Sequence, residues 1–304
     1  MLTPWGDIPV SDAHVHFFSD GFFRLLAKQK EGLSKEAIGA QLGWEMPPPD
    51  PVDLGARWVA ELDRRGVRKA AIMASIPGDE ASVEAAAKAY PKRFFGYFMV
   101  NPLAPHSLAH VRGALAAGCL RVPCLFPAMH RYWLHEKESV AIIEAAADTG
   151  KGVVFIHCGV LSVGVRKRLG LSSPFDLRYS NPVDIHGLAL RFPGVSFVIP
   201  HFGAGYFREA LMVADLCPNV YLDTSSSNSW MRYQEGELTL ARVLRKALGV
   251  LGPTRLLFGT DSSFFPRGWN ESVFQEQIAA LQEVGAGAGD AAAILGGNLE
   301  RILG

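Results

Sequence analysis

Two histidines one residue apart stand near the start of the chain, in Asp12-Ala13-His14-Val15-His16. Side chains alternate along an extended strand, so His14 and His16 point to the same side. Two imidazoles on one side can reach one metal ion. Alone, the pair fits two polar residues at a strand end equally well. Three further apolar runs tip the balance. VVFI is followed by His157, VSFVIP by His201 and RLLFGT by Asp261. A core histidine explains any one of these. Four runs that all end in a group able to bind metal or move protons are hard to explain by packing. Imidazole and carboxylate ligands suit Zn²⁺, and also Mn²⁺, Fe²⁺ or Co²⁺. An ion held this way with an open position brings the pKa of water near neutrality. The remaining histidines (His106, His110, His130, His135 and His186) fall in helical or loop patterns and read as surface or structural residues. Of these, His130 follows an apolar run and could approach the same region.

The elements that must position these residues are strands. Apolar runs begin near Ile8, Val67, Phe94, Gly118, Gly152, Val195, Asn219 and Arg255. Several are continuously apolar rather than alternating, which marks strands of a parallel sheet buried on both faces. Helical patterns lie between them. DEASVEAAAKAY starts at Asp79, with Asp79 or Ser82 as cap. SLAHVRGALAAG runs from Ser107 to Gly118, and ESVAIIEAAADTG from Glu138 to Gly150. NPVDIHGLALRFPG from Asn181 has proline just inside its start and glycine just past its end. Others begin near Tyr206, Leu238 and Glu271. Eight strands, seven crossovers and a final helix give an α/β fold, a distorted (β/α)8 TIM-type barrel, over a single domain 1–304. An open doubly wound sheet is the alternative, but no Gly-rich first turn supports it. The stretch 19–51, which contains WEMPPPDP, reads as an irregular excursion after the first strand. At the C-terminal face of a barrel it is either a lid or an insertion without a role. GAGAGD from Gly285 reads as a connector between helices.

Composition excludes other classes. The chain has 304 residues, 49% of them hydrophobic and 20% charged, with 30 Lys plus Arg against 30 Asp plus Glu. A net charge of zero and a pI near 7.1 give no field that would gather nucleic acid or an anionic membrane. Mean hydropathy is +0.13, yet the longest apolar stretch, Gly152 to Val165, is too short to span a bilayer and contains His157. The N-terminus lacks the features of a signal peptide. Cys119, Cys124, Cys158 and Cys217 form no CxxC pair and read as reduced thiols. Cys158 points away from the side of His157 by alternation. A cytoplasmic protein with a small-molecule substrate is expected.

Taken together, DAHVHFF, FIHCG, FVIPHFGAG, NVYLDTSS, LLFGTDSSFFP and ILGGNLERIL resemble the amidohydrolase superfamily. The nearest subgroup is the amidohydrolase-related one that includes aminocarboxymuconate-semialdehyde decarboxylase, and the resemblance covers Asp12 to Leu303. It implies a distorted (β/α)8 barrel, often dimeric. It implies His14, His16 and His157 as metal ligands, with Asp261 binding metal or exchanging a proton with water. It implies that His201 polarises substrate or activates water. Binuclear members carry a carbamylated lysine on the fourth strand. Here that strand is GCLRVPCLFP, with Arg121 and no lysine, so one divalent ion is expected, Zn²⁺ first.

Substrate contacts are read from residue type. Arg121 could pair with a substrate carboxylate or with the barrel wall. Arg166, beside Lys167 and Arg168, could attract an anion or be a solvated charge run. Trp44 of the excursion and Phe264, with Phe265 and Trp269, could wall an unsaturated substrate or pack the last helices. No GxSxG elbow accompanies Ser262 and Ser263. The expected reaction is hydrolysis of an amide, ester or lactone of a small substrate, which could carry a carboxylate. Decarboxylation of an unsaturated or aromatic acid is the alternative. A non-catalytic binding barrel is the reading from another class, and the complete residue set argues against it.

Overall fold

The structure, a computed structural model, describes residues 1–226 and 228–304. Among them eight parallel strands form one sheet in sequence order. They are β1 (Val10–His16), β2 (Val67–Ala74), β3 (Phe94–Val100) and β4 (Leu120–Leu125). They continue with β5 (Val153–Ile156), β6 (Ser196–Ile199), β7 (Val220–Asp223) and β8 (Leu256–Leu257). β1 and β8 meet at a seam closed by loop backbone. Ala13 N donates to Phe258 O (2.8 Å), Asp261 N to His14 O (3.0 Å) and His16 N to Ser262 O (2.7 Å). The result is the expected (β/α)8 barrel.

Two apolar layers explain the continuous runs. Met73, Phe95, Tyr97, Val122 and Phe155 fill the barrel interior. Ile72, Phe98, Val154, Ile156 and Cys158 face outward onto the helices. Each strand is thus buried on both sides. Helices Glu80–Ala89, Ser107–Ala117, Lys137–Ala147, Phe207–Leu216, Leu240–Leu251 and Glu271–Glu283 fall close to their expected places. No helix among the described residues is long and apolar enough to cross a membrane.

Several expectations are corrected. The excursion 19–51 is not irregular. It holds helices Asp20–Ala27 and Lys35–Leu42, and the hydroxyls of Ser19 and Ser34 accept from Phe22 N and Ala37 N as N-caps. Phe22, Phe23, Leu26, Ile38 and Leu42 bury against Leu169 and Leu171 of the segment after β5. A further helix, Pro51–Arg65, has Asp50 as N-cap, Pro51 in its first turn and Gly66 in the left-handed conformation as C-cap. The helix expected from Asn181 begins only at Asp184, and Pro182 precedes it in a turn. Asp79 occupies an N-cap position without capping. Its carboxylate instead accepts from the hydroxyls of Ser19 (2.6 Å) and Ser82 (2.7 Å). A short hairpin, Leu2–Thr3 with Gly6–Asp7, precedes the barrel.

Candidate metal centre

β1 delivers His14 and His16 to the C-terminal mouth, and the chain leaving β8 delivers Asp261 opposite them. Asp261 Oδ1 lies 3.0 Å from His16 Nε2 and 3.8 Å from His14 Nε2. The backbone of Asp261 is held at φ 57°, a left-handed conformation uncommon for residues other than glycine, although aspartate enters it more readily than most. The second nitrogen of each imidazole is engaged behind the site. His14 Nδ1 is 2.7 Å from Asp223 Oδ2, and His16 Nδ1 is 2.6 Å from Ser75 Oγ. The Ser75 hydroxyl donates to Met73 O (3.0 Å), so it accepts from His16. Both rings therefore carry the Nδ1 proton and turn Nε2 toward one carboxylate. Two lone pairs and a carboxylate oxygen repel one another unless a proton or a metal ion stands among them. Without a metal, a proton takes that place. Burial lowers the pKa of His14, but Asp223 and Asp261 outweigh it and raise the value to about 9. Burial raises the pKa of Asp261, and His16 and His14 hold it far below the usual carboxylate range. The residues thus fit a cation, and carboxylate-backed imidazoles are common in metal sites.

Gly259 makes this approach possible. A methyl group there would lie 2.9 Å from His14 Cβ and 3.0 Å from Asp223 Oδ1. Asp12, buried behind the seam, accepts from Thr260 Oγ1 (2.5 Å), Trp269 Nε1 (2.7 Å) and His14 N (2.9 Å). Burial still pushes its pKa up to about 6.

His157 and His201 complete the ring of imidazoles. Ring centroids are 5.0 Å apart for His14 and His201, and 5.4 Å for His157 and His201. His157 stacks on Phe126 (5.3 Å), and its Nδ1 is buried with no partner among the described residues. Burial lowers its pKa well below 6.5 and keeps it neutral, the form that ligates metal. The donor atoms that lie within 4.8 Å of one another belong to His14, His16 and Asp261, and His157 is not among them. His201 ends β6 in a left-handed turn (φ 54°, with Phe202 at 53°). Its Nδ1 is 2.9 Å from Ser225 Oγ. Burial lowers its pKa as well.

These groups floor a cavity of about 610 Å³. Trp44 and Phe264 line it and stack on each other at 4.2 Å. Phe18 continues this wall between His16 and Trp44. Phe265 and Trp269 are packing residues, against Trp58 and Asp12 respectively. Arg121 does not reach the cavity. It lies at the start of β4, the opposite end of the barrel, and its guanidinium bonds Leu303 O. The mouth end of β4 carries Leu125 and Phe126, so no amine stands there. Arg166 lines the cavity, but its donors go to Ser172 O (2.9 Å) and Gln29 Oε1 (2.5 Å). Arg168 Nη2 bonds Leu42 O (3.0 Å). Both arginines fasten the segment after β5 to the excursion. His130, which the sequence placed after an apolar run where it could approach the mouth, lines the cavity. Sequence reasoning missed Asp223, Ser225 and Ser75 as supports of the site. Asp223 was legible, since NVYLD is another apolar run that ends in an acid.

The amidohydrolase family profile matches residues 11–304. A 91-residue segment is 37% identical to the protein fluG of Emericella nidulans, and it spans 30% of this chain but only 10% of that protein. A 5-carboxyvanillate decarboxylase from Novosphingobium aromaticivorans, solved with manganese and a nitrobenzoic acid, superposes with a TM-score of 0.62. It is 16% identical, over 99% of this chain and 98% of that one. An amidohydrolase from Burkholderia multivorans with bound zinc gives 0.58 at 15% identity, over 97% and 98%. At such identities these two structures show a shared fold.

Proposed function

The chain belongs to the amidohydrolase family and is an enzyme of that superfamily, and from this premise we propose that it hydrolyses an amide, ester or lactone of a small acid with the help of one divalent metal ion. The observation that carries this reading is the convergence of His14 Nε2, His16 Nε2 and Asp261 Oδ1 at the floor of an aromatic-walled cavity. His14, His16 and Asp261, with His157 as the fourth donor, would hold the ion, Zn²⁺ first and Mn²⁺, Fe²⁺ or Co²⁺ as alternatives. An ion so held supplies Lewis acidity and lowers the pKa of water toward neutrality.

The chain's own groups do the rest. Asp261 takes the proton of the attacking water and returns it to the leaving group. His201 Nδ1 lies 2.9 Å from Ser225 Oγ, and with the hydroxyl as donor the His201 proton stands on Nε2. That N–H stabilises the oxyanion as it forms. Asp223 fixes the tautomer of His14, and Ser75 that of His16. The flat wall of Phe18, Trp44 and Phe264 orients substrate and excludes water.

That same wall favours a second reading, decarboxylation of an aromatic or unsaturated acid, in which a solvent proton replaces the carboxylate on carbon. The two reactions differ in where water goes. Lactones, amides and unsaturated acids are screened, and any hit is repeated in ¹⁸O-labelled water and in D₂O. Hydrolysis puts solvent oxygen into the product acid. Carbon-bound deuterium with released CO₂, and no ¹⁸O in the organic product, overturns hydrolysis in favour of decarboxylation.

A further inference from the structure

We propose that His130 reads the far end of the substrate by donating Nε2–H to an acceptor oxygen remote from the reacting carbon, an inference that rests on the cavity being the substrate site. His130 ends the short helix Pro127–His130 that follows β4. In the barrel order β4 lies four strands from β8, so His130 and Asp261 stand on opposite sides of the mouth. Phe126, Met129, Pro174 and Phe175 line the same cavity as His130, and Arg166 lies over the Phe175 ring with its N–H groups committed to Ser172 O and Gln29 Oε1. The Nδ1 of His130 is sealed from solvent and has no partner among the described residues. A buried N–H without an acceptor costs about 1–3 kcal/mol, and a bare lone pair is tolerated better. The proton therefore sits on Nε2, the nitrogen left to face the cavity. Burial pushes the pKa of the ring down to about 4, so it is a neutral donor near pH 7.

The backbone that carries the ring is also held before any ligand arrives. His130 N donates to Phe126 O (3.1 Å), and Arg131 caps the helix at φ 58°. Arg131 Nε donates to Pro174 O (2.9 Å), and Asp176 N to Ala128 O (2.9 Å). A donor with no protein partner selects substrates by whether they satisfy it, because an analogue without the acceptor leaves the donor unpaired. The substrate class this implies is a flat acid bearing a hydroxyl, keto or carboxylate oxygen at the end away from the reacting group.

The test has two arms. Side-chain ¹H–¹⁵N spectra of the full-length, metal-loaded protein, with the His130 signal assigned by its loss in His130→Gln, should show a neutral ring protonated on Nε2 at pH 7. An Nδ1–H tautomer or an imidazolium overturns the proposal. In the second arm, compound pairs that differ only in the remote oxygen are compared by kcat/KM. The wild type should prefer the oxygenated member, and His130→Phe should lose that preference by about 10–100-fold with metal content unchanged. His130→Gln, which keeps an N–H donor, should recover most of it. A preference that survives in His130→Phe overturns the proposal. If no compound turns over, that counts against the hydrolase reading, and the spectra alone decide His130.

Discussion

Gly259→Ala tests the steric logic of the metal centre. A methyl group at Gly259 would meet His14 Cβ at 2.9 Å and Asp223 Oδ1 and Ser225 Cβ at 3.0 Å, whereas ordinary contacts begin near 3.4 Å. None of the three neighbours is the free end of a flexible side chain. Each belongs to the network that aims His14. Overpacking of this kind costs about 1–3 kcal/mol. The displaced pair is the imidazole proposed to bind metal and the carboxylate behind it, so metal affinity should fall by about 10–100-fold as well. The control is the same substitution where space is open. Gly113 lies on the exposed face of helix Ser107–Ala117 with nothing within 4 Å of a new methyl group. Gly113→Ala should stabilise by up to about 1 kcal/mol through helix propensity. Urea denaturation and metal titration of both variants give the comparison. Opposite signs in stability, with metal affinity lost only in Gly259→Ala, are expected. Wild-type stability and metal affinity in Gly259→Ala would refute the reasoning.

Protein purified without chelator should contain about one divalent metal per chain by elemental analysis, and His14→Ala or His157→Ala should lower it sharply; two ions per chain would defeat the single-ion reading. His201→Asn should keep most of the metal while turnover falls about 10²–10⁴-fold; metal loss equal to that of His157→Ala would make His201 an ordinary ligand. Asp79 is buried, and its pKa is raised from 3.8 to about 6. Between those values the native state holds a proton that the unfolded chain has lost, so stability falls as pH rises through that window, by about 3 kcal/mol in full. Asp79→Asn should remove most of that fall between pH 4 and 6.5 in denaturation curves, and an unchanged pH dependence would show that Asp79 is not its source.

The barrel was legible because its strands are buried on both faces. Continuous runs such as VVFI and FFGYFMVN need no partner to be recognised, and the polar residue that ends each run falls at the mouth. Position within a strand was harder to read. Arg121 and Phe126 belong to the same run, but only the end of a parallel strand reaches the mouth, and Arg121 stands at its start. The excursion was hidden by composition. The prolines of WEMPPPDP suggest irregular chain, while Phe22, Phe23 and Leu26 show an apolar helical face only once Leu169 and Leu171 stand opposite. Helix Pro51–Arg65 carried its signal openly, with Leu54, Trp58 and Leu62 four residues apart. Asp223 and Ser225 were missed because they act through other residues. Nothing in a sequence says that Asp223 lies 2.7 Å from a histidine more than two hundred residues away.

The seam between β1 and β8 has a consequence for how the protein is made. His14 and His16 leave the ribosome before every other barrel strand is made, and Asp261 follows only after all eight strands. The backbone bonds that hold Asp261 against His14 form with the last strand in place. A nascent or clipped chain that stops short of β8 carries most of the donor atoms but cannot assemble them, however well its early strands have paired. A metal ion proposed for this site would therefore load only after the last strand is in place, and its occupancy would report that the ring has closed.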